Sequence, residues 1–309
     1  MSRYGYFDTF CRDSGDRWST LPVCYLFNQA PTRQEQGQGS GWGGCELKGI
    51  TLDANKDKYL ANLGSILLCG IAILTTLFLL WRSERKKAAV GRREMQLFLI
   101  GYVIISICEI FTIGGFPLDS GVRKAFVAVH IAAIVATTWI LMLNGLVGYQ
   151  LLDDGTAMSI GLILVSAAVL FIGTGYIALD TGFSWTNFFS DPEILNNNRS
   201  YSLYTLYQLV PLVFLFVFFC LESFLVLRVL GEKKPMAYLI AAVLLFAIGQ
   251  IFQYVISVHI CNGTDGKING GLFETLFTLL SVVMIWVFWS SITEDDWPAS
   301  GVAGSGTYS

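Results

Sequence analysis

Five ionisable side chains lie inside long apolar stretches of the sequence: Glu109, His130, Glu222, His259 and Glu274. Burying such a group in an apolar medium costs free energy, so each one needs a partner or a function. Imidazole and carboxylate groups are ligands of zinc and iron, so His130, His259, Glu109 and Glu274 are candidates for a metal site. The alternative is that they form hydrogen bonds with neighbouring helices or extend to the membrane interface. The chain has two histidines, which excludes a site built on three.

A second group of polar residues follows the third apolar stretch, between Asn144 and Thr156. Two glycines three residues apart allow a neighbouring helix to approach closely, and the amide side chains can form hydrogen bonds between helices. The Asp-Asp-Gly-Thr sequence at the end predicts a tight acidic turn. The segment is therefore either a packing face followed by a turn, or a surface that binds a partner. Its candidate partner-binding residues are Asn144, Gly145, Gly148, Gln150, Asp153 and Asp154.

Two glutamines, Gln250 and Gln253, form a polar stripe on one face of the sixth apolar stretch. Side chains of this kind form hydrogen bonds between transmembrane helices. We expect that role here, rather than the lining of a permeation path. Pro211 is the one proline inside an apolar stretch, so there is little sign of the broken helices from which many transporters build their binding sites.

The elements that must position these residues are seven apolar stretches, each long enough to cross ~30 Å of hydrocarbon as a helix. The 309 residues are 54% hydrophobic and 14% charged, with a mean hydropathy of +0.57, which excludes a soluble protein. Backbone groups find no water in lipid, so the predicted fold class is an all-α polytopic membrane protein, with seven transmembrane helices in one bundle. The stretches are 60–81, 95–115, 125–152, 157–179, 203–230, 237–260 and 272–292.

The charges predict the orientation of the chain in the membrane. Six basic residues surround the loop between the first two stretches: Arg82, Arg85, Lys86, Lys87, Arg92 and Arg93. Loops rich in Lys and Arg stay in the cytosol. Lys233 and Lys234 occupy a loop of the same parity. The N-terminus is then lumenal or extracellular and the C-terminus cytosolic. The net charge of −3 leaves no basic field for a nucleic acid.

We predict three parts: a lumenal, cysteine-containing tail, 1–57; a seven-helix transmembrane domain, 58–292; and a short acidic and Gly/Ser-rich cytosolic tail, 293–309. The tail has no apolar core of signal-peptide length, so the first helix is expected to act as an uncleaved anchor. Both glycosylation sequons, at Asn198 and Asn262, fall in loops on the lumenal side. Asn262 lies very close to a helix end, which disfavours its glycosylation.

Four of the seven cysteines are predicted to be lumenal: Cys11, Cys24, Cys45 and Cys261. An oxidising compartment permits two disulfides among them, in any of three connectivities. The alternative is four free thiols. Pairing would bring the Gly-rich segment of the tail, 36–44, onto the bundle.

Several known classes of membrane protein are excluded by what the sequence lacks. The seventh stretch contains no lysine, so no retinal Schiff base can form there. The third ends in Asp-Asp-Gly rather than Asp-Arg-Tyr, and the seventh has no Asn-Pro-x-x-Tyr, so the usual receptor switch is missing. There is no Walker motif, nucleophile elbow or Rossmann glycine pattern. We therefore predict no catalytic residues and no cofactor.

Several different short motifs follow one another along the chain. They are Phe7-Asp8 with Cys11, Leu21-Pro22-x-Cys24, 89–94 (Ala-Val-Gly-Arg-Arg-Glu), Asn144 to Thr156, Ile248-Gly249-Gln250, Ile260-Cys261-Asn262, Gly271-Leu272-Phe273 and Trp289-x-Ser291-Ile292-Thr293-x-x-Asp296. With these motifs the chain resembles the fungal chitin synthase export chaperones, from about Phe7 to Asp296. Two features depart from the family pattern, and they leave open which chitin synthase, if any, the protein would bind. They are a Gly/Gln-rich insertion, 34–44, and Gly270 where an acidic residue is usual.

The resemblance implies a membrane chaperone and no enzymatic activity. Such a protein would bind a polytopic chitin synthase in the endoplasmic reticulum membrane and enable its folding and export to the cell surface, for cell-wall chitin synthesis. Its partners would be the synthase and the lipid bilayer. Polar groups inside the membrane would pair with polar groups of the client. The candidates are Glu109, Glu222, Gln250 and Gln253.

The acidic end of the chain offers a further candidate. Glu294 and Asp296 form an acid-x-acid sequence of the kind that vesicle-coat components could read as an export signal. A solvated acidic tail is the alternative. For the chain as a whole, the alternatives to a chaperone are a seven-transmembrane receptor-like protein and an integral membrane metal-dependent hydrolase that uses His130, His259, Glu109 and Glu274.

Overall fold

Seven helices, each long and apolar enough to cross a membrane, dominate the fold. The computed structural model describes residues 4–5, 7, 11, 21–27, 47–51, 59–60, 62–86, 89–116, 118–149, 154–186, 188–189 and 200–293. The helices are α1 (Leu63–Arg85), α2 (Arg92–Phe111), α3 (Ser120–Val147), α4 (Ala157–Phe183), α5 (Tyr201–Leu230), α6 (Lys234–Gly263) and α7 (Gly270–Ile292). The predicted all-α fold with seven transmembrane helices is confirmed. We call the side of the bundle where α1 and α7 begin the N-tail side. The opposite side, which holds Lys86 and residues 89–91, is the basic-loop side.

The described residues before α1 form a 3-10 helix (Pro22–Leu26) and the antiparallel strands β1 (Ile50–Thr51) and β2 (Tyr59–Leu60). The side chain of Asn62 then caps α1 by accepting a hydrogen bond from the Ser65 N–H at 3.1 Å. Its Nδ2 also donates to Oδ1 of Asn269, at 2.9 Å. Because Asn269 precedes α7 directly, this pair ties the start of α1 to the start of α7.

Helix α3 lies at the centre of the bundle, in contact with α2, α4 and α5. Its inner faces carry small side chains, among them Ala128, Ala132 and Ala133, all buried. Small residues let transmembrane helices approach closely, and this explains why three neighbours fit around one helix. Helix α1 packs between α2 and α7, and α6 packs on α7. Contacts between α5 and α6 are sparse.

Helices α5 and α6 contain π-helical turns: Thr205–Leu209 and Leu225–Leu230 in α5, and Phe252–Ile256 in α6. The first of these turns ends two residues before Pro211. A proline has no N–H, and its ring collides with the carbonyl four residues earlier in a regular helix. The wider turn accommodates that ring, so α5 continues through the proline.

Two acidic side chains join the basic-loop ends of α2 and α4. Glu94 at the start of α2 is fully buried, and its Oε1 accepts hydrogen bonds from the Gly155 N–H at 3.0 Å and the Ser159 hydroxyl at 3.1 Å. In the opposite direction, Oδ2 of Asp154 accepts from the Gly91 N–H at 3.0 Å. We call this reciprocal set of bonds the carboxylate clasp. It satisfies polar groups that would otherwise be buried without partners.

The end of α7 packs on the same loop. Nε1 of Trp289 donates to the carbonyl of Val90 at 2.9 Å. Gly91 adopts a left-handed conformation with φ of 67°, and a Cβ there would lie 3.2 Å from Oδ1 of Asn144 and 4.0 Å from Nε1 of Trp289. Glycine is thus required for both the backbone conformation and the available space. The motifs around 89–94, 144–156 and 289 meet in this one place.

Helix α3 ends at Val147, five residues before its predicted end at Leu152. The chain turns at Gly148, and the hydroxyl of Tyr149 donates to the carbonyl of Leu221 in α5 at 2.6 Å. Burial, with a smaller contribution from the Glu222 carboxylate, raises the pKa of Tyr149, so this donor keeps its proton at neutral pH. The phenol thereby fixes the basic-loop end of α3 to α5.

The described part of the tail packs on the N-tail side of the bundle. A disulfide joins Cys11 to Cys24, and both residues are buried. Their neighbours Phe7, Val23, Leu26 and Phe27 are buried in a cluster with Val127, Ala128, Ile131, Ala178 and Leu203 of α3, α4 and α5. Cys261 is disulfide-bonded as well, while Cys69, Cys108 and Cys220 are free thiols. Cys45 lies outside the described residues.

The carboxylate clasp predicts that alanine substitutions of two glutamates in the same loop region lower the free energy of unfolding by different amounts. We expect Glu94→Ala to lower the free energy of unfolding by about 1–3 kcal/mol, because it leaves the buried hydroxyl of Ser159 without its acceptor and removes the hydrogen bond to the Gly155 N–H. Glu84 is 53% exposed and pairs with Arg93 at 3.3 Å, so Glu84→Ala should cost about 0.5 kcal/mol or less. Thermal unfolding of the purified variants in detergent measures both. Equal losses would show that the clasp contributes no special stability.

The disulfide of the tail predicts a second stability effect. Replacing Cys11 and Cys24 together by serine should lower the free energy of unfolding by about 2–4 kcal/mol, because the bond closes a short loop in the unfolded chain. The exposed free thiol of Cys220 provides the matched control, and Cys220→Ser should leave the stability unchanged. Unfolding in the presence and absence of reductant checks the result. A stability of the double variant equal to that of the parent would contradict it.

Candidate functional site

A cavity of about 380 Å³ lies between α2, α3, α5, α6 and α7. Three of its lining residues are strongly exposed on the outside of the bundle: Leu212 and Phe216 of α5, and Val243 of α6. The cavity therefore opens sideways between α5 and α6, where contacts between helices are sparse. A ligand that enters by this route comes from the lipid phase.

Polar groups concentrate at the N-tail end of the cavity, and its deeper walls are mainly apolar. The lining there includes Tyr102, Glu109, His130, Tyr207, Gln208, Gln253, Tyr254, Glu274 and Thr278. Pro22 of the tail also lines the cavity, so the tail cluster lies at this end of it. The site thus combines a mainly apolar wall with a few convergent polar groups, which is typical of ligand-binding cavities.

Two carboxylates line the polar end. Glu109 of α2 accepts a hydrogen bond from the thiol of Cys69 at 3.4 Å, and Glu274 of α7 accepts one from the hydroxyl of Thr278 at 3.0 Å. They are close enough to interact electrostatically. Among the described residues that line the cavity, none is Lys or Arg. Among the described residues, the two acids therefore share a site without a cationic side chain.

The ring of His130 presents an acceptor in the same region. Its Nδ1 lies 3.2 Å from Oγ1 of Thr112, and that hydroxyl donates its proton to the carbonyl of Cys108 at 2.9 Å. The hydroxyl must then accept from Nδ1, so Nδ1 carries the proton of the neutral ring and Nε2 is an acceptor. Nε2 is buried and has no hydrogen-bond partner among the described residues.

One side-chain hydrogen bond bridges the mouth of the cavity at its polar end. The hydroxyl of Tyr254 in α6 donates to Oε1 of Gln208 in α5, at 2.9 Å. Both residues lie within the π-helical turns described above. The wide turns bring these two side chains to the gap between helices that otherwise touch little.

The predicted partner-binding residues fall into two separate groups. Glu109, Gln250 and Gln253 line the cavity. The rest of the described ones lie at the basic-loop side: Asn144, Gly145, Gly148, Asp154 and Glu222. A Cβ on Gly145 would lie 3.2 Å from Phe218, and one on Gly148 would lie 3.0 Å from Leu225, so both glycines serve the packing of α3 on α5. Gln150 and Asp153 lie outside the described residues, as do Asn198, Glu294 and Asp296.

The structure does not assemble the four-residue metal site. Glu109, His130 and Glu274 line the cavity, whereas His259 is exposed near the end of α6 and does not line it. Within the described part of the chain, no group of three or more His, Cys, Asp or Glu side chains could hold a metal ion. The hydrolase alternative therefore has no metal centre in this region. The four residues do not converge because His259 lies on the outer, exposed face of α6 and points away from the cavity.

Among the polar lining residues that sequence reasoning missed are three of α5 and α6: Tyr207, Gln208 and Tyr254. A signal for them existed, because tyrosine and glutamine are unusual in the middle of long apolar stretches. It was not decisive, since aromatic residues are common at both ends of transmembrane helices. Their convergence depends on the π-helical turns, which rotate the helix faces.

Comparison with known proteins adds to this geometry. The family model of the chitin synthase export chaperone matches residues 3–302. The chain is 29% identical to a chitin synthase export chaperone of Coccidioides immitis, over 95% of this chain and 83% of the relative. It is 28% identical to that of Aspergillus fumigatus, over 95% and 84%, and 31% identical to that of Chaetomium globosum, over 73% and 66%. No solved structure matches the chain.

The match extends over the tail, the seven helices and the loops that join them. The family is named as a chaperone and not as an enzyme. The residues of the carboxylate clasp and of the cavity both lie inside the matched range. This chain is a multi-pass membrane protein of the chitin synthase export chaperone family.

Proposed function

We propose that the protein is a membrane chaperone that binds a polytopic chitin synthase in the endoplasmic reticulum. Binding enables the synthase to fold and to leave for the cell surface, where it makes cell-wall chitin. The relatives are named for such a role. The observation that carries the proposal is the cavity between α5 and α6, because it opens to the lipid phase in which a membrane client lies.

The chemistry of the cavity suits a chaperone for membrane proteins. A client helix that has not yet packed exposes polar side chains to lipid, which costs free energy. Glu109, Gln250 and Gln253 offer hydrogen-bonding groups at the depth of the bilayer. The apolar walls meanwhile replace contacts with lipid tails. A cavity with these properties holds an exposed client helix until it reaches its own partners.

The orientation with a lumenal N-terminus and a cytosolic C-terminus is part of the proposal. The disulfide between Cys11 and Cys24 supports it, because disulfides persist in oxidising compartments such as the lumen. The basic residues around the loop 86–91 support it from the other side of the membrane. We further propose that Glu294 and Asp296 act in the cytosol as an export signal read by vesicle-coat components.

The carboxylate clasp has a structural role in this proposal. Glu94, Asp154 and Gly91 hold the basic-loop ends of α2 and α4 together. Asn144 and Glu222 lie nearby, and each has a buried polar atom without a hydrogen-bond partner among the described residues. These two side chains are therefore second candidates for contact with the client.

Export of chitin synthase in fungal cells tests the proposed function. Deleting the gene should leave a tagged synthase in the endoplasmic reticulum and lower cell-wall chitin several-fold, with the amount of synthase unchanged. Re-expression of the parent chain should restore both. Normal delivery of the synthase in the deletion strain would contradict the proposal.

A pair of adjacent substitutions tests whether the cavity is the binding site. Val243 lines the mouth, and Leu244 beside it is exposed but does not line the cavity. Val243→Trp should fill the mouth and lower surface delivery of the synthase at least threefold, whereas Leu244→Trp should leave it near the parent level. Fluorescence microscopy and immunoblots of the chaperone check delivery and expression. Equal delivery with both variants would exclude the cavity as the binding site.

The proposed orientation predicts which sequon carries a glycan. Asn198→Gln should abolish a glycosidase-sensitive shift in gel mobility, whereas Asn262→Gln should leave it in place. Asn262 lies in the last turn of α6, and the hydroxyl of Thr264 in its sequon donates to the carbonyl of Ile260 at 2.8 Å, so this sequon is held within a helix end. A glycan that survives in the Asn198 variant would contradict this assignment.

A further inference from the structure

The cavity contains acidic groups that its own walls do not neutralise. Glu109 and Glu274 are 5% and 7% exposed, and both line the cavity. A buried carboxylate without a cationic partner is costly inside a membrane. Two carboxylates at close range also resist simultaneous ionisation unless a cation lies between them. The described part of the lining supplies neither Lys nor Arg, so the polar end is complementary to a positive charge.

Unpartnered acceptor atoms point to the same kind of ligand. Oε2 of Glu274 and Nε2 of His130 are buried, and neither has a hydrogen-bond partner among the described residues. Two of the donors beside these acids are already in use, because the Cys69 thiol bonds to Glu109 and the Thr278 hydroxyl to Glu274. Leaving a buried acceptor unpaired costs free energy. What the described residues at this end of the cavity lack is a donor that also carries a positive charge.

We propose that the polar end of the cavity binds a Lys or Arg side chain carried by a transmembrane helix of the client. The inference rests on the proposed function and gives it a recognition chemistry. The ammonium or guanidinium group pairs with Glu109 and Glu274, and the helix that carries it enters from the lipid phase between α5 and α6. The cation and the two carboxylates then neutralise one another away from water.

The shape of the cavity favours a helix over a lipid tail. Its lining on α6 extends from Leu239 to Tyr254, which is ~22 Å along a helix. Gln250 and Thr137 lie along this length, deeper than the carboxylates. A lipid tail offers these groups no donor or acceptor, whereas a helix carries side chains at every depth. Glu274 lies four residues after the start of α7, so the cation is expected about one turn below the N-tail ends of the helices.

Model transmembrane peptides test the inference without knowledge of the client's sequence. The probes are Leu-rich helical peptides of 21 residues that contain one Lys or, in its place, one norleucine, which has a similar chain and no charge. Binding of each peptide to the full-length protein in lipid nanodiscs is measured by fluorescence. We expect the Lys peptide to bind at least thirtyfold more tightly, the factor that corresponds to about 2 kcal/mol for a buried charged pair.

The position of the lysine provides a second readout on the parent protein alone. Placed about one turn from the end of the apolar segment, it should give the tightest binding, and placed at the centre it should bind at least tenfold more weakly. Equal binding of the Lys and norleucine peptides would overturn the inference and leave an apolar groove for helices. Binding of neither peptide, with a phospholipid retained in the cavity through purification, would overturn it in favour of a lipid.

Isosteric variants assign the effect to the carboxylates. Replacing both Glu109 and Glu274 by glutamine should remove the preference for Lys over norleucine. The matched control is Glu94→Gln, since Glu94 is fully buried but does not line the cavity, and glutamine keeps an Oε1 acceptor for Gly155 and Ser159. That control should keep the preference. A preference that survives in the double variant would contradict the assignment to these two acids.

Failure of the inference and failure of the proposed function are distinguishable in cells. A strain with the glutamine double variant that exports chitin synthase normally, while the deletion strain does not, overturns the cationic recognition and leaves the chaperone function standing. Normal export in the deletion strain overturns the function itself. Loss of export in both strains, together with the peptide preference, supports both.

Discussion

Polar groups inside a membrane must find their partners within the protein, because lipid tails offer none. The two ends of the bundle meet this constraint in different ways. On the basic-loop side the carboxylates of Glu94 and Asp154 each accept from backbone N–H groups of the opposite loop. On the N-tail side the carboxylates of Glu109 and Glu274 line a shared cavity whose described residues include no Lys or Arg. Acidic side chains thus stabilise the fold at one end of the bundle, and at the other end they form the site that we propose binds a cation.

The packing of the helices follows from where small residues lie. Helix α3 is central because alanines cover its inner faces, and α5 approaches it over Gly145 and Gly148. Between α5 and α6 contacts are sparse, and the large side chains of Phe216 and Leu212 are exposed along that gap instead of packing across it. A bundle in which one neighbouring pair of helices packs poorly has a natural lateral opening. The cavity lies behind it.

The sequence alone was sufficient for the number of helices, because the length of an apolar run determines whether it spans a bilayer. It was also sufficient to single out Glu109, His130 and Glu274 as unusual. It could not show that these three meet while His259 points away, since that depends on the rotation of each helix about its axis. Nor could it assign the role of Glu94, which bonds to residues more than sixty positions later in the chain. Such contacts arise from tertiary packing.

The π-helical turn before Pro211 has a consequence for how this family can vary. Such a turn contains one residue more than a regular helical turn, so it behaves like an insertion inside the helix. The wide turn absorbs that residue, because its five residues, Thr205–Leu209, turn the chain by about as much as four residues of a regular helix. Deleting one of them would therefore leave Leu212 and Phe216 at the mouth of the cavity, but it would remove the space that the ring of Pro211 needs. Deleting one residue after Pro211, in the regular part of α5, would instead rotate everything that follows by about 100°.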